Sequence, residues 1–327
     1  MSINQNNKDR LKMLAIVGGI FSTSFVITGE LFHKFSLSKT GIQSNFVKKL
    51  LANLKEKAPI DDYKKRLDKV ILDGANWFHK VNPLKVTAET QDKRILHADV
   101  IMSKKLSDVW VICIHGYGSS PQFMGVYADG FHKMGYNVLL PSLRGHADSD
   151  EELISMGWND RLDVLVWINQ IAEKHPNSKI ILHGVSMGGA TAMMVTGEEL
   201  PKNVKLAIED CGYTTVWDIL AYKIKQSFKL PLFPLLYSAD AVNRHKEKFG
   251  FKEASAINQV KKSHTPTLFI HGEKDDFVPY SMLDEVYNAA ACVKEKLSIP
   301  DAPHARSVCA HPRLYWNGVK KFIAEYL

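Results

Sequence analysis

Residues 179–196 read KIILHGVSMGGATAMMVT. The first part is a short, continuous apolar run, as strands buried on both faces of a parallel sheet are. The second part lacks proline and charge and is rich in helix formers. Between them lies Gly184-Val-Ser186-Met-Gly188, so the chain must turn from strand to helix within about one residue. Such a turn lifts the Ser186 hydroxyl clear of the backbone. Glycines at 184 and 188 remove side chains that would otherwise clash at so sharp an elbow. The helix start adds backbone N–H groups that can meet a negative oxygen. A Gly-x-Ser-x-Gly pentad alone is a weak signal and could be a passive glycine-rich turn. The strand before it and the helix after it make it a candidate nucleophile.

Working outward, the same alternation recurs. Strand-like runs at 109–116, 136–141, 204–210, 265–272 and 295–300 are separated by helical stretches near 121–134, 159–174, 187–199, 280–292 and 312–326. A hairpin at 84–90 and 94–103 precedes them. This pattern predicts an α/β fold with a mostly parallel central sheet flanked by helices. Ligands of such sheets bind at the carboxyl ends of the strands, so the chemistry is expected just after each one. One connection is too long for a simple crossover. The stretch from about 213 to 262 predicts a helical insert, and its dense apolar residues make Phe228, Phe233 and Tyr237 candidate substrate contacts beneath a lid. Ordinary packing of an extra helical pair accounts for them equally well.

Ser186 requires a base, and the base requires a carboxylate to orient it. Asp275 and Asp276 follow the strand TPTLFIHG, and His304 follows the last predicted strand. The order Ser186, Asp275, His304 is the one this architecture uses. His115, His183 and His271 sit at strand ends and read as structural, hydrogen-bonded residues. His146 is a weaker rival base. The glycine-rich run HGYGSS (115–120) brings a backbone amide near the serine, so the N–H groups of Tyr117 and Met187 are the candidate oxyanion hole.

Taken in order, HGYG, LRGH, GVSMGG, HGEKDDFVP and APHA resemble the α/β-hydrolase superfamily. More narrowly, they are similar to bacterial serine esterases and to the catalytic domain of prolyl-oligopeptidase relatives. The resemblance covers roughly residues 70–327. It implies Ser186 as nucleophile, Asp275 as acid and His304 as base, with no metal and no organic cofactor. It implies carboxylic esters, hence a small-molecule acyl ester, as substrate. A peptidase, a thioesterase or acyltransferase with the same triad, and a non-catalytic binding relative are the alternatives. Two positions depart from the family pattern: Ser142 stands where an aspartate is frequent, and Ala147 where a glycine is. Neither is catalytic. Asp276 beside Asp275 leaves open which carboxylate orients His304.

The formal net charge is +7 over 327 residues, but it is unevenly spread. Residues 1–70 hold 13 Lys/Arg against 6 Asp/Glu, while residues 71–327 carry 29 of each sign. A neutral body argues against a nucleic-acid partner, which would require a basic face. The four cysteines form no metal-ligand spacing and no disulfide framework. Residues 13–29, MLAIVGGIFSTSFVITG, predict a signal-anchor helix within a 1–35 segment, with basic residues on both sides. Residues 36–80 then read as a helical stalk or packing segment, with Phe46, Leu50, Leu51 and Leu54 as an apolar stripe, and 81–327 as the catalytic domain. On this reading the protein is held to a membrane by its N-terminus, with the body outside the cell or, alternatively, in the cytoplasm. A cleaved signal peptide, with Lys8, Arg10 and Lys12 as its charged start, and an amphipathic helix packed on the body are the competing readings. Nothing in the sequence sets the oligomeric state.

Overall fold

The computed structural model describes residues 24–44 and 62–327. Eight strands form one sheet: β1 (Leu84–Glu89), β2 (Ile95–Ile101), β3 (Val109–Ile114), β4 (Asn137–Pro141), β5 (Lys179–Val185), β6 (Val204–Asp210), β7 (Thr267–Gly272) and β8 (Lys294–Ile299). Their spatial order is β1-β2-β4-β3-β5-β6-β7-β8. β2 pairs antiparallel with β1 and β4, and every pairing from β4 onward is parallel. The helices are α1 (24–36), α2 (Lys39–Gln43), α3 (Asp62–Val81), α4 (Gly125–Lys133), α5 (Asp160–Lys174), α6 (Met187–Thr196), α7 (Val216–Phe228), α8 (Leu235–Glu247), α9 (Ala256–Val260), α10 (Ser281–Ala289), α11 (Ser307–Ala310) and α12 (Pro312–Tyr326). The predicted alternation is present, including the hairpin and the long connection after β6, which holds α7, α8 and α9.

Side chains alternate across the pleat, so each central strand feeds two cores. Ile112 and Ile114 of β3 face the core shared with α5, α6 and the insert. Val111 and Cys113 of the same strand face the core built with α3, α4 and α12. Burial on both faces explains why these strands read as unbroken apolar runs.

The expected membrane anchor, and the extracellular placement that followed from it, are overturned. Among the described residues no helix is long and apolar enough to cross a membrane. The described part of the apolar run, within α1, lies against the insert instead. A Cβ on Gly29 would run into the Ser238 carbonyl, so α1 and α8 touch backbone to backbone. Glu30 pairs with Lys246 at 2.6 Å, and His33 Nε2 lies 3.3 Å from Asn243 Oδ1. Leu37 is then buried in the first core, and its carbonyl accepts from the Ile154 N–H. Among the described residues of that run Gly29 is buried against the insert, while Val26 and Ile27 are about half exposed. Residues 13–23 of that run and the stripe from Phe46 to Leu54 lie outside the described residues. The end of the 36–80 segment is α3, which packs Leu67 and Phe78 into the second core.

Candidate active site

Ser186 stands alone between β5 and α6 with φ 58° and ψ −119°, a conformation that L-residues rarely adopt. The elbow is held by the Ser186 N–H, which donates to the Asp210 carbonyl at 2.8 Å, and by the Ala190 N–H, which donates to the Ser186 carbonyl at 2.9 Å. Crowding explains both glycines. A Cβ on Gly184 would strike the Gly188 carbonyl, and one on Gly188 would strike the carbonyl of Ile114 on β3.

Ser186 Oγ lies 2.8 Å from His304 Nε2, and His304 Nδ1 lies 2.7 Å from Asp275 Oδ2. Asp275 follows β7 and His304 follows β8, so the parallel register brings three distant positions to one rim of the sheet. The other Asp275 oxygen, Oδ1, accepts from the N–H groups of Phe277 and Val278, both at 2.9 Å. Asp276 is exposed and its carboxylate makes no such contact, so the geometry selects Asp275 of the adjacent pair. Burial acts to raise the Asp275 carboxyl, but hydrogen bonds from His271 and His304 outweigh it and hold the group at about 2. An ionised carboxylate requires Nδ1 of His304 to carry the proton, which leaves Nε2 to accept from the serine hydroxyl.

The loop after β3 passes close beside the serine: a Cβ on Gly116 would stand 3.3 Å from Ser186 Cβ and 3.7 Å from Oγ. Tyr117 follows directly, and Met187, fully buried, opens α6 on the other side. The Tyr117 hydroxyl donates to the Ser36 carbonyl at 2.7 Å, so the N-terminal segment tethers this loop. His146 fixes it from a third direction. Its Nε2 accepts from the Gly118 N–H at 2.9 Å, and its Nδ1 donates to the Arg144 carbonyl at 2.8 Å. His115 and His183 are fully buried, and burial pushes both down to about 3, so they are neutral and structural.

Four residues near Ser186, His304 and Asp275 were given no place beside them by the sequence. Phe277 stacks on the His304 ring with centroids 4.8 Å apart. His271 Nε2 reaches Asp275 from behind. Glu209 and Asp210, at the end of β6, are fully buried, and burial pushes them up to about 8 and about 7. Of the insert residues, Phe228, Phe233 and Tyr237 are each about half exposed. The insert meets the Asp275 loop through Tyr222, whose hydroxyl donates to the Asp276 carbonyl at 3.4 Å, and through Lys223. Metal-ligating atoms of Cys211, Asp275 and His304 lie within 4.8 Å of one another. An ion held by all three would compete for the Asp275–His304 contact itself.

The family model for the alpha/beta hydrolase fold matches residues 109–230. An esterase from Pyrococcus furiosus superposes with a TM-score of 0.62 at 24% identity, over 76% of this chain and 93% of that one. The uncharacterized protein YqkD of Bacillus subtilis is 27% identical over 214 residues, covering 65% of this chain and 70% of that protein. A thermostable monoacylglycerol lipase from Bacillus sp. strain H-257 is 30% identical over 90 residues, or 26% of this chain and 34% of the lipase. The sheet order, the elbow and the match over residues 109–230 give this chain the alpha/beta hydrolase fold.

Proposed function

We propose that the protein is a serine hydrolase that cleaves small carboxylic esters through an acyl-enzyme. The observation that carries this reading is the unbroken run of hydrogen bonds from Ser186 Oγ through His304 to Asp275, starting from a strained elbow. Ser186 Oγ attacks the acyl carbonyl carbon as His304 Nε2 takes its proton. Asp275 fixes the imidazole tautomer and stabilises the imidazolium without becoming protonated. The amides of Tyr117 and Met187 donate to the oxyanion of the tetrahedral intermediate. Collapse expels the alcohol, which receives its proton from His304. Water, deprotonated by the same imidazole, then attacks the acyl-serine and regenerates the enzyme. The names of the Pyrococcus furiosus esterase and the monoacylglycerol lipase point to the same ester chemistry.

The test is covalent labelling by a fluorophosphonate probe, alongside turnover of p-nitrophenyl esters of graded chain length and of aminoacyl p-nitroanilides. Labelling and ester turnover that vanish in Ser186→Ala support the reading. A native protein that neither labels nor turns over any ester refutes it, and preferential cleavage of the anilides redirects it to a peptidase.

A further inference from the structure

Lys223 lies on α7, a helix of the insert that meets the Asp275 loop. Its ammonium sits 3.8 Å from the centre of the Phe277 ring, whose plane lies nearly parallel to the His304 imidazole and 4.8 Å from it. The three groups form a stack, cation on phenyl on catalytic imidazole, with the cation two ring contacts from the reacting atoms. Tyr222, its neighbour, ties the same turn of helix to the Asp276 carbonyl, so the stack is anchored from both sides.

What distinguishes this lysine is its lack of an ionic partner. Among the described residues no carboxylate lies within ion-pairing distance of Nζ, whereas Lys246, also on the insert, has one at 2.6 Å. Asp276 and Asp275 act on it only from further away, while burial pushes its ammonium below the usual lysine range. A half-buried ammonium on an aromatic face has shed water without gaining a counter-ion, and an anion arriving there meets an incomplete hydration shell.

We propose that Lys223 is the cationic element of an anion-binding subsite beside the triad, so that the preferred esters carry a carboxylate or phosphate near the scissile bond. This rests on the hydrolase reading above. The anion can be borne by either half of the ester, and the experiment separates the two. For the acyl half, p-nitrophenyl hexanoate is compared with the mono-p-nitrophenyl ester of adipic acid, whose chain has the same length and ends in a carboxylate. For the alcohol half, monobutyrylglycerol is compared with its phosphate monoester. The quantity read is the ratio of kcat/KM, anionic over neutral, within each pair.

In Lys223→Gln that ratio falls about fivefold in at least one pair, the size expected of a partly exposed ion pair. Lys223→Arg retains the ratio and Lys223→Glu depresses it further, because only the sign of the charge is at stake. Ratios that stay the same in Lys223→Gln for both pairs, with the esters still turned over, overturn the subsite and leave the hydrolase standing. A native protein that turns over none of the four esters and is not labelled by the fluorophosphonate probe removes the hydrolase reading and the subsite with it.

Discussion

His271 Nε2 lies 3.3 Å from Asp275 Oδ2, the same oxygen that meets His304, and 3.0 Å from the Val278 carbonyl oxygen. One buried N–H is therefore shared between a carboxylate and the backbone of the loop that carries it. The carboxylate is supported from below, and the loop is drawn to the same imidazole. The pairing also shifts His271: burial acts to lower it, but the hydrogen bond to Asp275 and that carboxylate's charge prevail and raise it. His271 thus positions Asp275, the carboxylate that the proposed mechanism uses to orient His304.

His271→Ala is expected to lower kcat by about tenfold to a hundredfold, less than loss of a triad member, because Asp275 keeps its two backbone donors. His271→Gln, which restores a donor, loses less. Steady-state kinetics beside a pH–rate profile check this. A purely structural role would lower Tm and leave the profile of the surviving enzyme where it was.

Ser186→Ala and His304→Ala are each expected to lower kcat by at least about 10³-fold with the fold intact. Alanine keeps the same β-carbon at φ 58°, so the elbow strain remains. Ser186→Gly removes that strain and is expected to be more stable than Ser186→Ala by about 1 kcal/mol, while equally inactive. Urea unfolding of the two variants measures the difference. Equal stability would show that the elbow is not strained.

Gly188→Ala is expected to be destabilising by about 2–3 kcal/mol, since its Cβ would drive into the Ile114 carbonyl of the central strand, where neither backbone can yield. Gly118→Ala is the control. Its glycine has a positive φ of 65° but no heavy atom within 4 Å of the added carbon, so the cost there is backbone strain alone. Thermal melts of the pair separate crowding from conformational cost.

Glu209 is fully buried, and burial raises its carboxyl from the ordinary value of 4.5 to about 8. A raised acid is stabilised in its protonated form by the fold. The folded protein therefore holds this proton more tightly than the unfolded chain, and the associated stability is present in full below about pH 4.5. It is lost progressively as pH climbs from there towards 8. Glu209→Gln, neutral throughout, should flatten the fall in Tm between pH 5 and 8. A pH dependence identical to that of the native protein would rule out Glu209 as its source.

Leu37→Ala is expected to cost about 2–4 kcal/mol, because a fully buried side chain of the first core is lost. Tyr117→Phe removes only the hydroxyl that donates to the Ser36 carbonyl and should cost about 1 kcal/mol. Its informative readout is kcat, expected to fall severalfold as the loop bearing the Tyr117 amide loosens. An unchanged kcat would separate the N-terminal segment from catalysis.

The strand, elbow and helix around Ser186 were legible in the sequence because their causes are local. An apolar run, two glycines and a helix-forming tail act through sterics and hydrogen bonds within a few residues. The order of strands placed Asp275 and His304 at strand ends for the same reason. What the tertiary structure alone decided involves partners far apart in the chain or on adjacent turns with no periodic signal. The choice of Asp275 over Asp276 depends on which of two neighbouring carboxylates the loop turns inward. The stack of Lys223 on Phe277 on His304 joins an insert helix to two separate loops. The apolar run before Lys34 read as a membrane anchor because composition records how hydrophobic a segment is and not what covers it. The described part of that run meets the insert's own helix at Gly29, and only folding brings the two together.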